Sequence, residues 1–185
     1  MNPIRRPYRT SRAGVTLLEL IVVMTLLLVS TSILSSMIVP VSRQREINSD
    51  NAIAADAARS VLETMRAQPF DEIFARYNAD AADDPADADP IPGAGFAVPG
   101  LELQPGDPDG LAGRVELPMI GAELREDVDD AALGMPRDLD ADLRVDASDH
   151  ANDYRILPVR VLVEWQGRSG PRRFELCTAL TELRF

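Results

Sequence analysis

From Val15 to Val41 the chain reads VTLLELIVVMTLLLVSTSILSSMIVPV, 27 residues carrying a single charge, Glu19. Wound as a helix at ~1.5 Å per residue, such a run reaches roughly 40 Å, more than the ~30 Å hydrocarbon core of a bilayer. A secretory signal peptide has a shorter apolar stretch of about 7–15 residues, with its small cleavage-site residues after it. Here the small residues, Ala13 and Gly14, come first. The run therefore reads as a membrane-spanning helix. Charge is divided unevenly around it. Residues 1–14 hold Arg5, Arg6, Arg9 and Arg12 and no acid, a charge of +4, so the net charge of -11 leaves -15 on the rest. A basic leader ahead of an apolar run stays on the cytoplasmic side, which sends the acidic bulk across the membrane. All 19 basic residues are Arg and they form no stripe. An acidic chain of this kind repels phosphate backbones, which argues against nucleic-acid binding by its bulk.

Glu19 lies five residues into the apolar run, where an ionised carboxylate is costly without a partner. Its surroundings, Gly14 and then Val15-Thr16-Leu17-Leu18-Glu19-Leu20, resemble the prepilin leader motif of type IV pilins and type II secretion pseudopilins. That resemblance implies a prepilin peptidase that cuts between Gly14 and Val15 and methylates the new amine of Val15. It also implies that Glu19 serves assembly, pairing with the N-terminal amine of a neighbouring pilin or pseudopilin subunit. The chemistry suits those roles. Glycine lets the backbone lie flat in a protease cleft, and a buried carboxylate is neutralised by a buried amine. The family usually has Phe after the cut, where this chain has Val15.

Beyond the membrane, Pro40 is expected to kink or briefly melt the helix, and Asp50 is a possible N-cap for its continuation. Ile47, Ile53 or Ala54, Ala57 or Ala58, Val61 or Leu62 and Met65 recur at three- and four-residue steps, an apolar stripe for a sheet to pack on. Pro69 should end it. The stretch Ala57–Arg66 with Phe70-Asp71-Glu72-Ile73 resembles the stem of minor pilins and I-type minor pseudopilins.

Residues 78–95, rich in Asp and Pro without apolar period, read as a linker. Two strands are expected at Phe96–Leu103 and Arg114–Met119, separated by a turn at 104–110. Acid returns over 123–153. Asp107 with Asp109, and Asp138 with Asp140 and Asp142, are the candidate metal ligands, with calcium the cation that oxygen-rich loops favour. Neither group has the EF-hand spacing, and a solvated acidic surface is the simpler reading. His150 is the only histidine and Cys177 the only cysteine, too few for a zinc site or a Cys–His nucleophile. No phosphate loop, G-x-S-x-G or HExxH motif is present, so no enzyme is expected.

Tyr154–Trp165 alternates, with Val159, Val161, Val163 and Trp165 on one face and Arg160, Leu162 and Glu164 on the other. A loop at 166–171 and a return strand, Arg172–Phe185, complete a hairpin resembling the last one in minor pilin heads. Cys177 faces away from Leu176 and reads as a free thiol.

The expected architecture is α+β: a long N-terminal helix and an antiparallel sheet of about four strands on its outer half. The segments are a leader 1–14, a membrane helix 15–41, an amphipathic stem 42–77, a linker 78–95 and a β-rich head 96–185. The resemblance implies a structural, minor subunit of a type IV pilus-like or type II secretion filament, in the bacterial inner membrane. Its head is periplasmic or carried on an extracellular filament. Two alternatives are a filament-borne binding module with calcium-dependent acidic loops, and a single-pass protein that never polymerises.

Overall fold

A computed structural model of the chain describes residues 14–80, 82–85 and 92–182, with 37–43 as backbone alone. Residues 1–13 of the basic leader, residues 81 and 86–91 of the acidic stretch and the terminal 183–185 lie outside the described residues. The chain divides into two compact units, up to Arg45 and from Glu46 onward. Its first element is helix α1, Leu17–Arg66. Pro40 and Asp50 both fall inside that range, so the helix does not melt at Pro40 and Asp50 does not cap a restart. An internal proline removes one donor from the ladder and leaves the neighbouring rungs in place. The stem 42–77 is likewise not one helix. After Arg66 come a short 3-10 turn, Phe70–Glu72, and helix α2, Ile73–Tyr77.

In the second unit the sheet has the order β1-β2-β5-β6 and is antiparallel throughout: β1 Gly95–Phe96, β2 Gly113–Glu116, β5 Ile156–Gly167 and β6 Gly170–Thr181. A second sheet joins only β3, Met119–Ile120, to β4, Glu123–Leu124. The α+β architecture and the four-stranded sheet are as expected, but the first strands are shorter. Pro99 has no N–H for a ladder and Gly100 turns the chain at φ +95°, so the expected strand stops at Phe96. Pro118 has the same effect on the next, and Met119 leaves to pair with Leu124 instead. Phe96 lies opposite Gly113, and a Cβ there would come within 2.2 Å of the Phe96 ring. Only glycine lets that ring lie flat across the strand.

Ala54, Ala58, Leu62 and Met65 of α1 are sealed from solvent and share one core with Val115, Leu157, Val159, Val161, Val163 and Trp165. The two alanines let the helix approach the sheet closely. Leu162, on the face opposite the Val159–Trp165 set, is buried as well. The turn at Gln104–Leu111 folds over the sheet's outer face, and lines a hollow there with Leu162.

Tyr154 ties the start of β5 to the segment after α1. Its hydroxyl donates to the Phe70 carbonyl and accepts the Phe74 N–H at 3.2 Å, and its ring packs 5.0 Å from that of Phe70. Burial pushes the Tyr154 phenol up to about 12. A raised pKa means that the folded state holds the proton more tightly than the unfolded chain. The stability this group contributes is therefore complete below about pH 10 and lost as pH climbs toward 12. Tyr154→Phe should lower stability at pH 7 by ~1 kcal/mol, the worth of its hydrogen bonds. It should also remove ~2 kcal/mol of the alkaline loss. Denaturant titrations of both proteins between pH 8 and 12 measure this; parallel pH profiles would show that Tyr154 does not titrate there.

Candidate functional site

Two places carry unusual chemistry, and each belongs to a different unit. In the first, Gly14, Val15 and Thr16 precede α1 as exposed, non-helical backbone. The Thr16 hydroxyl accepts the N–H of Glu19 at 3.2 Å, and its carbonyl accepts that of Leu20 at 3.1 Å. Thr16 is thus the N-cap and Glu19 the third helical residue, the spacing of a capping box. The Glu19 carboxylate sits in the first turn, where the helix dipole favours a negative charge. It makes no ion pair among the described residues. The capping role went unread in the sequence, although T-x-x-E before an apolar run is its signature.

Leu17–Ser36 is 20 residues long, strongly apolar, and has no side chain buried within the protein. Four of its hydroxyls are satisfied internally: Thr25, Ser30, Thr31 and Ser36 donate to the carbonyls of Val22, Leu26, Leu27 and Ile33. A lipid environment imposes that condition, since no water is there to accept them. The segment fits a single-pass anchor.

The second place lies among the acid-rich loops that follow β4. The His150 N–H donates to the Leu124 carbonyl at 2.9 Å, and the Leu124 N–H donates to Asp149 Oδ1 at 3.0 Å. This clamp sets His150 beside Glu126, far away in sequence. Both are buried, at 4% and 1% exposure. Glu126 Oε1 accepts the N–H groups of Leu139 and Asp140, and Oε2 that of Asp146. Around the imidazole stand Asp153 Oδ1, 3.1 Å from Nδ1, and Asp140 Oδ2, 3.9 Å from it. On the other side are Asp146 Oδ1 at 3.4 Å and Glu126 Oε2 at 3.7 Å from Nε2. Nε2 has no hydrogen-bond partner. Burial alone would push the His150 imidazolium down, but Glu126, Asp153 and Asp146 outweigh it and raise the pKa. Asp140 also lies above the ordinary carboxylate range. The N–H of Asp142 pulls it down, against burial and the neighbouring Asp142 and Glu126 charges.

Of the acids proposed from sequence, Asp138 and Asp140 come together with Glu126. Asp142 stays apart and accepts the N–H of Arg144. Asp107 and Asp109 accept N–H groups of their own turn and join no such cluster among the described residues. Glu126, Asp146, His150 and Asp153 were missed. A zinc or thiol site in the sequence would need cysteine or histidine partners for His150, whereas the structure surrounds it with carboxylates from three stretches of loop.

The family model for the prokaryotic N-terminal methylation motif matches residues 9–35, as the prepilin motif of type IV pilin-like and pseudopilin-like proteins would. The match spans the end of the leader and most of the apolar part of α1, and no part of the second unit. Proteins carrying this motif are structural substrates of a prepilin peptidase. No curated protein and no solved structure matches the chain.

Glu126 holds the loop 139–146 by its backbone. Glu126→Ala strands one buried and two partly buried N–H groups and should destabilise the protein by roughly 3 kcal/mol. Asp107→Ala, in an exposed turn, should stay within about 0.5 kcal/mol. Urea denaturation of both variants reads the difference, and equal losses would show that Glu126 has no special hold on the loop.

Proposed function

We propose that this chain is a structural, minor subunit of a type IV pilus-like or type II secretion filament. On this reading it is cut between Gly14 and Val15, methylated on the Val15 amine, and anchored in the bacterial inner membrane with its leader in the cytoplasm. The observation that carries the reading is the methylation motif over 9–35 coinciding with an uncovered apolar helix that holds one acid, Glu19. The minor-subunit assignment rests on the resemblance of the stem and the terminal hairpin.

On cleavage, Val15 would present a charged amine one residue ahead of the Thr16 cap, and Glu19 would offer its carboxylate four residues on. When subunits stack, the carboxylate of one and the amine of the next cancel two charges that an apolar filament core could not hold singly. The partners are then the peptidase, the other filament subunits and the inner membrane.

Gly14 and Glu19 separate processing from assembly. The fold makes no demand for glycine at 14: a Cβ there meets nothing within 4 Å. Gly14→Leu should therefore insert and fold normally yet accumulate uncut, as read by mass analysis of the N-terminus. A mature chain beginning elsewhere than Val15 would sink the assignment. Glu19→Leu keeps the Thr16 cap, because that bond uses the backbone N–H of residue 19. Removing a charge worth up to ~3 kcal/mol in the bilayer should leave insertion and cutting intact or improved. Co-purification with the other filament subunits should nevertheless fall at least tenfold. Undiminished co-purification would dispose of the pairing role.

A further inference from the structure

We propose that Glu126, Asp146 and His150 form a binding site for a divalent transition-metal ion of the zinc class, separate from the membrane helix and its motif. His150 is 96% buried, being 4% exposed, and its Nε2 points without a partner between two carboxylate oxygens. The clamp at Leu124 and the Nδ1 contact to Asp153 fix the ring in that position. In the neutral ring whose Nδ1–H donates to Asp153, Nε2 turns its lone pair toward two anions. Lone pair and carboxylates repel one another unless a proton or a metal ion stands between them, and a metal takes the place of that proton.

The spacing suits a metal. Zinc bonds to nitrogen and carboxylate oxygen are about 2.0–2.1 Å, so neighbouring ligand atoms in a tetrahedral shell stand roughly 3.3–3.4 Å apart. Nε2 lies 3.4 Å from Asp146 Oδ1 and 3.7 Å from Glu126 Oε2, and the ligand atoms of all three residues fall within 4.8 Å of one another. The surrounding contacts are those that orient metal ligands. Asp153 takes the second imidazole nitrogen, and backbone N–H groups of Ser148 and Asp146 hold Asp146 Oδ1 and Glu126 Oε2. Asp146 is half exposed, which leaves an approach from solvent and room for a water as fourth ligand. An imidazole among the donors selects zinc, nickel or copper over calcium, which takes oxygen alone.

The test uses the full-length, untagged chain in detergent, stripped with a chelator and dialysed against zinc, cobalt or calcium in separate arms. The expected result is one zinc per chain, and visible ligand-field bands of tetrahedral cobalt. His150→Gln should lose the cobalt bands and bind zinc at least tenfold more weakly, while Asp107→Asn binds like the parent. Thermal melts of the metal-free proteins check that His150→Gln folds. Should it not, Asp146→Asn, altered at a half-exposed side chain, carries the same expectation. Absence of zinc uptake would overturn the site, as would zinc binding indifferent to both substitutions. Uptake of calcium alone, unaffected by His150→Gln, would overturn it equally, in favour of an oxygen-only site.

Discussion

The second unit depends on a strand that is buried on both faces. Along β5, Leu157, Val159, Val161, Val163 and Trp165 point into the core that α1 closes, and Leu162 is covered from the other side by the turn before β2. At about 25 cal/mol per Å² of apolar surface, each such side chain contributes roughly 1.5–3 kcal/mol, and no other element concentrates so many. Its ladder to β6 runs unbroken from Ile156–Thr181 to Gly167–Gly170, and β2 pairs along its other edge. A one-residue slip in either pairing would turn the apolar set outward, so burial on both sides fixes the register. Tyr154, two residues ahead of β5, then joins that register to the chain leaving α1.

What the long acidic stretch contributes is less familiar. Between β4 and β5 there are no ladders to absorb the backbone donors, yet the chain is folded there. Aspartates take the place of the ladder. Asp138 accepts the N–H groups of Ala141 and Leu143, Asp140 that of Asp142, Asp142 that of Arg144, and Asp146 that of Ser148. Ala141 and Leu143 stand at positive φ, an uncommon conformation that these bonds offset. Much of the acidity that looks like a solvated surface in the sequence is therefore local scaffolding. The consequence is a high density of carboxylates around a single buried imidazole.

Where the sequence was legible, a period carried the signal. The helix stripe at Ala54, Ala58, Leu62 and Met65 and the alternation of β5 recur at their expected spacing, and both are core. A proline or glycine at a strand end was harder to weigh. Pro99 and Pro118 each cut a strand short, and nothing in the apolar pattern around them says where a ladder gives way. The His150 cluster was illegible for another reason. Glu126 and His150 meet only because β4 is clamped to the loop end at Leu124, a long-range contact with no spacing rule. Leu162 shows the same limit, since its cover comes from a remote turn.

Glu19 and Glu126 present the same electrostatic problem in two solvents, and the comparison sharpens the proposed role of the first. Glu126 is buried, and three backbone N–H groups answer its charge within the chain. Nothing comparable is arranged for Glu19. Its own N–H is taken by Thr16, its carboxylate has no ion-pair partner among the described residues, and the side chains around it are uncovered. The dipole of α1 helps it, but by only about 0.3–1 kcal/mol, short of the ~2.5–3.5 kcal/mol that a central membrane acid costs. A chain needing only an anchor would be better served by leucine at this position. On the proposed reading the remaining charge is answered by a second subunit, whose processed Val15 amine carries the opposite sign.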